Sequence, residues 1–250
     1  MYQEFARVYD EFMETIPYTT WADYIEQVWH RFDEKPNLVL DMACGTGGLA
    51  VELSLRGYDM IGTDLSEDML EEAREKAAAA GQSILLVHQD MRDLELFGTV
   101  DAMICTCDSL NYILDPEDVL KVFTRASLYL EPGSLFVFDV NTEYKYREIL
   151  SDHTFADTYD DSAFIWQNQY DPETRRNEYL VNFFVEEEKD TYRRFEELHI
   201  QQAYSPEEIR DLLRKAGFTT EAVFDGLSLD EPKKESERLT FVARKIKERG

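Results

Sequence analysis

The sequence predicts an α/β fold: a doubly wound, seven-stranded, mostly parallel sheet with an antiparallel last strand, and a small antiparallel sheet inserted after the fifth strand. Three stretches predict it. Residues 37–56 read as a short apolar strand, a glycine turn and a helix. From there to residue 140, apolar runs of strand length alternate with segments of helical periodicity, as in a parallel sheet. Residues 152–203 instead hold apolar residues in alternating runs, the pattern of four antiparallel strands.

Taken in order, residues 2–34 read as two helices. Tyr2, Phe5, Ala6, Tyr9, Phe12 and Met13 share one face; Pro17 interrupts; Trp21, Tyr24, Ile25, Val28 and Phe32 form the second. Residues 1–36 are expected to be a helical lid, or else a flap packed on the sheet. Strand one covers 37–42, and a helix over 46–56 is closed by Gly57. Strand two (58–64) ends in Asp64. Ser66 then caps a helix whose buried face is Met69, Leu70, Ala73 and Ala77, with Glu67 and Asp68 favouring its dipole. Strand three (83–88) leads into Gln89-Asp90-Met91, and strand four (100–106) into a loop over 107–113. Asp115-Pro116 opens the next helix. Glu131-Pro132-Gly133 is a turn before strand five (134–140). Asp171–Thr174 is a turn within the insertion. Ser205-Pro206-Glu207-Glu208 is a capping box, and its helix ends at Gly217. Residues 218–224 and 239–243 form an antiparallel hairpin around a charged loop.

The chain has 250 residues, with 52 acidic and 26 basic side chains and a formal charge of −26. Such a balance opposes phosphate backbones, which need clustered Lys and Arg, and anionic membranes. Residues 152–190 alone hold 11 acidic and 3 basic side chains. Cys44, Cys105 and Cys107 are spaced for neither a redox pair nor a zinc site, so reduced thiols in a cytoplasmic protein are expected. No basic-then-apolar leader opens the chain, and no apolar run reaches 18 residues. A monomer or homodimer is expected, with no metal.

The decisive stretch is Asp41-Met42-Ala43-Cys44-Gly45-Thr46-Gly47-Gly48. Glycines at a strand end let the backbone turn and approach a ligand. Ala50 stands where a dinucleotide loop has its third glycine, which disfavours a dehydrogenase, and the Gly-Lys-Ser/Thr of a phosphate loop is absent. Asp64 lies 19 positions beyond Gly45, the placement for ribose hydroxyls. With Leu130-Glu131-Pro132-Gly133-Ser134 and "LLRKAGF" before a late strand, this stretch closely resembles motif I of the class I, Rossmann-like S-adenosylmethionine (SAM)-dependent methyltransferases, in particular those acting on small molecules. The resemblance covers 37–140 strongly and 205–244 as pattern.

It implies SAM as cofactor, bound by Tyr9, Asp41, Ala43, Gly45, Gly47, Asp64, Leu65, Met69, Asp90, Met91 and Cys107. Asp90 would meet the adenine amino group, with Met91 flanking the ring. Asp108 and Tyr112 are candidates for the methyl acceptor. Three units are expected: a lid over 1–36, a SAM-binding domain over 37–150 and 204–250, and an inserted sheet over 151–203 that is read as a substrate cap, the alternatives being a dimer contact or a solvated sheet. The expected reaction is methyl transfer to nitrogen or oxygen of a small molecule. No catalytic residue is assigned; His88, His153 and His199 are possible bases, and His30 is a surface residue. The Asp/Asn-Pro-Pro-Tyr/Phe stretch of DNA-base methyltransferases is missing after strand four. An RNA or tRNA methyltransferase would need a basic groove, and only pairs such as Arg175-Arg176 and Arg193-Arg194 are offered. A non-catalytic SAM-binding module is the third alternative.

Overall fold

The computed structural model describes residues 17–159, 161–188 and 191–246. Helix α1 (Tyr18–Arg31) precedes β1 (Leu38–Met42), α2 (Gly48–Leu55), β2 (Asp59–Asp64), α3 (Glu67–Ala79), β3 (Leu85–His88), β4 (Val100–Cys105), α4 (Pro116–Tyr129) and β5 (Leu130–Asn141). A π-helical turn (Lys145–Leu150) leads to β6 (Thr154–Thr158), β7 (Ser162–Asp171), β8 (Arg176–Glu188) and β9 (Thr191–Gln202). Helix α5 (Pro206–Lys215), β10 (Phe218–Asp225) and β11 (Arg238–Lys245) complete the chain. Among the described residues, no helix is long and apolar enough to cross a membrane.

Seven strands form the main sheet in the order β10–β11–β5–β4–β1–β2–β3. β1 to β5 pair in parallel, and β11 runs antiparallel to both neighbours. The chain moves outward from β1 to β3, then returns to β4 on the other side of β1. The strand order therefore reverses between β1 and β4, where a crevice opens at the carboxyl ends of the strands.

Both sheet faces are covered. On one, α4 and α5 bury Phe123, Ile209 and Leu213 against Phe136, Phe138 and Phe241, with Phe138 and Phe241 stacked at 5.2 Å. On the other, α1 and α2 bury Trp21, Ile25, Val28 and Leu53 against Val39, Ile104 and Val137. Burial of each such aliphatic side chain stabilises the fold by about 1.5–3 kcal/mol. Tyr18–Arg31 is thus a core layer of the sheet, while residues 1–16 of the expected lid, Tyr9 among them, lie outside the described residues.

Local chemistry fixes the helix starts. Ser66 Oγ accepts from Met69 N at 3.2 Å and Asp115 Oδ1 from Glu117 N at 2.8 Å. Ser205 and Glu208 exchange backbone-to-side-chain bonds in a full capping box. The expected turn at Glu131–Gly133 departs from expectation. β5 already begins at Leu130, paired with Val100, and the next pair is Leu135 with Ala102. Gly133, at φ +94°, lets the extra residues bulge out of the ladder instead of ending it.

The inserted residues form a four-stranded antiparallel sheet in the order β6–β7–β8–β9. Its register aligns three cross-strand rows on one face: Asn168–Tyr179–His199, Trp166–Val181–Glu197 and Phe164–Phe183–Phe195. The opposite face carries exposed Arg194, Glu196 and Leu198. Arg175, in the β7–β8 turn, grips Glu208 with two bonds of 2.7 and 2.8 Å, docking the insertion on α5.

Candidate active site

The loop after β1 alternates left-handed residues: Ala43 (φ 59°), Gly45 (φ 55°) and Gly47 (φ 72°). Two glycines here are required by space, and Gly47 by its backbone as well. A Cβ on Gly47 would lie 2.8 Å from the Ala73 side chain, and one on Gly48 would enter the Tyr18 ring at 2.1 Å. α3 and α1 therefore press on the glycine turn from both sides. Lys76 on α3 adds a bond to Thr46 Oγ1 at 2.9 Å and lies over the Tyr18 ring.

Of the carboxylates expected at the strand ends, Asp64 bonds this loop directly. Asp64 accepts from Gly45 N and Ser66 N, each at 2.8 Å, one on each oxygen. Burial raises its carboxyl, and these N–H donors oppose the rise. Each oxygen keeps a second lone pair for an incoming hydroxyl. Asp41 is 1% exposed, its Oδ1 is buried without a hydrogen-bond partner, and burial together with Asp64 pushes its carboxyl up to about 8. Asp90 sits after β3 and is held by Arg92, whose Nε lies 2.9 Å from Oδ1; this pairing lowers its carboxyl.

A cavity of about 520 Å³ opens at the switch point. Its lining includes Ala43, Gly45, Asp64, Leu65, Met69, Asp90, Met91 and Tyr112 from the expected set, together with His88, Arg92, Ser109, Ile113 and His199. Asp41, Gly47, Cys107 and Asp108 of that set are not among its lining residues. Cys107 packs against the core cluster around Trp21, and the Asp108 carboxylate is bonded to protein partners.

Those partners form a charge cluster. Cys107 and Asp108 are consecutive left-handed residues (φ 58° and 52°), a strained pair at the end of β4. Asp108 N donates to Asp139 Oδ2 at 3.0 Å, its Oδ1 meets Arg238 at 2.8 Å, and its Oδ2 accepts from Gln201 at 2.7 Å. Arg238 also bonds Asp139, which is fully buried, and its guanidinium lies 5.6 Å from the centre of the Trp21 ring. Gln201 accepts in turn from Tyr146 OH at 2.9 Å. The loop that follows carries Tyr112, whose hydroxyl lies 2.6 Å from Tyr179 OH and 3.2 Å from His199 Nδ1. Burial pushes the imidazole down to about 4, so it is neutral near pH 7. His153 sits elsewhere, with Nδ1 3.0 Å from the Ile149 carbonyl.

A family described as "Methyltransferase domain" matches residues 39–133. A protein of Bacillus subtilis (strain 168) that carries the name of a methyltransferase, YqeM, is 38% identical over 99% of this chain and 98% of its own. The crystal structure of an S-adenosylmethionine-dependent methyltransferase from Clostridium acetobutylicum ATCC 824 matches with a TM-score of 0.89 at 31% identity, covering 98% of this chain and 99% of that one. The chain belongs to the SAM-dependent methyltransferases. A more distant relative of this methyltransferase is the dTDP-3-amino-3,4,6-trideoxy-alpha-D-glucopyranose N,N-dimethyltransferase of Streptomyces venezuelae, 33% identical over 47% of this chain and 48% of its own.

The donor set of the methyltransferase fits the family cofactor. The buried, unpartnered Oδ1 of Asp41 can accept a hydrogen bond from an amino group, and a positive charge beside it would favour loss of the carboxyl proton. A Cβ at Gly45 would meet nothing within 4 Å, so the backbone stays open to a ligand there. Sequence reasoning identified the strand-end carboxylates but missed Arg238, Tyr179 and Gln201. Only alternation along β8 and β9 signalled that Tyr179 and His199 could share a face.

Proposed function

We propose that the protein binds S-adenosylmethionine in the switch-point cavity and methylates a nitrogen or oxygen atom of a small molecule held beneath the inserted sheet. The observation that carries this reading is a single cavity lined by Asp64 and Asp90 on one side and by Tyr112 and His199 on the other. In this reading Asp64 takes the ribose hydroxyls, Asp90 and Met91 the adenine, and Asp41 the amino group of the methionine moiety. When bound, the cofactor supplies an electrophilic methyl group on a sulfonium.

The chain's own task is positioning. Transfer between two held reactants needs alignment and exclusion of water more than acid–base chemistry. β9 brings His199 to the acceptor side, which supports the inserted sheet as a substrate cap. Neutral His199 and the Tyr112 hydroxyl can hydrogen-bond an acceptor N–H or O–H without repelling a cation. The amino-sugar substrate in the name of the Streptomyces relative supports a small polar acceptor, and the charge of −26 opposes an RNA.

Calorimetric titration with SAM and with S-adenosylhomocysteine tests the cofactor. Both are expected to bind in the micromolar range, and Asp64→Ala is expected to weaken binding at least about tenfold, the loss of a charge-assisted hydrogen-bond acceptor. A folded protein that binds neither compound sinks the reading.

A further inference from the structure

Two residues before His199 on the same face of β9 stands Glu197, about 7 Å away at strand rise. It is 6% exposed, its Oε1 has no hydrogen-bond partner, and no Lys, Arg or His among the described residues pairs with it. Its cross-strand row is apolar and aromatic, Val181 beside it and Trp166 beyond. The rows on either side hold Tyr179 with His199 and Phe183 with Phe195, the latter rings stacked at 5.1 Å. The Trp166 indole N–H is likewise buried without a partner. A carboxylate set into such a wall is destabilising unless a cation or donor meets it. Burial raises this carboxyl.

We propose that Glu197 and the aromatic rows beside it form an acceptor subsite for a protonated amine, placed one pleat beyond the His199–Tyr112 end of the cavity. The proposal rests on the methyltransferase reading above and narrows its acceptor. The substrate would carry an ammonium group about 7 Å from the region of the methyl-accepting atom. Aromatic faces add attraction for that cation, and the carboxylate supplies a charge-assisted hydrogen bond. An anionic acceptor would be rejected at the same place.

The test uses the full chain saturated with S-adenosylhomocysteine. Phenethylammonium and its uncharged analogue 2-phenylethanol are titrated into wild type and Glu197→Gln. Wild type is expected to bind the ammonium at least about tenfold more tightly than the alcohol. Glu197→Gln should lose that preference while binding S-adenosylhomocysteine as wild type does. Equal binding of the two probes, binding of neither, or a preference that survives in Glu197→Gln overturns the proposal. Absence of S-adenosylhomocysteine binding would instead strike the cofactor reading. Thermal unfolding of Glu197→Leu gives a readout without any probe. An unsatisfied carboxylate predicts a rise in Tm on its removal; a fall shows a carboxylate already satisfied within the chain and overturns the proposal.

Discussion

Asp41 holds a proton that an exposed aspartate would have lost. Its carboxyl titrates at about 8 in the folded chain against an ordinary 3.8, from burial first and the Asp64 charge second. Between those values the folded state binds more protons than the unfolded one, so stability falls as pH rises. Asn cannot ionise. Asp41→Asn should therefore gain stability over wild type progressively between about pH 4 and pH 8, with no further gain above. Urea denaturation at pH 5 and pH 9 checks this, and an equal difference at both pH values would refute it. Asp41, Asp64 and Asp90 were legible in the sequence because each closes a strand of one parallel sheet, and parallel strands end on the same edge. Arg238 was not. It reads as the end of a charged loop, and nothing local announces that Asp108 and Asp139 wait for it inside the protein.

Among the elements, the glycine turn is squeezed between α1 and α3. The Tyr18 ring occupies the space a side chain at position 48 would need, and aromatic rings in a packed interior yield little. Gly48→Ala should cost about 1–3 kcal/mol of stability by overpacking, read as a lower Tm, and should weaken SAM binding by displacing the loop. A variant as stable as wild type would show that α1 is not pressed on the turn. The helices and strands were legible from periodicity and caps. The irregular piece was not: Pro132-Gly133 reads as a turn, and pairing of Leu130 with Val100 converts it to a bulge. Register of this kind is set by the neighbouring strand, which a local pattern does not contain.

Across the molecule, one guanidinium joins three parts. Arg238 from β11 neutralises Asp139 of β5 and Asp108 after β4, and Asp108 reaches β9 through Gln201. Removing one partner of a buried ion cluster leaves uncompensated charge, at a cost of about 3–5 kcal/mol. Arg238→Met should lower stability by that order, measured by chemical denaturation, and should lower turnover with a known acceptor more than SAM affinity, because the loop bearing Tyr112 loses its anchor. A loss below about 1 kcal/mol would mean that the cluster is dispensable. The two sheets and their strand count were legible in the sequence. How the inserted sheet faces the cavity was not, since it depends on contacts between residues such as Tyr112 and Tyr179, 67 positions apart.

Asp108 and Arg238 stand 130 positions apart in the chain. A ribosome adding about 5–20 residues per second delivers the carboxylate on the order of ten seconds before the guanidinium that neutralises it. During that interval the nascent chain can already hold β1 to β5, yet the left-handed Cys107–Asp108 step lacks its counter-charge. Synthesis therefore imposes an order: the part of the cavity lined by Asp64 and Asp90 can form first, and the loop bearing Tyr112 is fixed only with β11. A chain lacking residue 238 and all that follow would keep the glycine turn at 45–48 and the strand-end carboxylates, with no guanidinium to fix the loop that bears Tyr112.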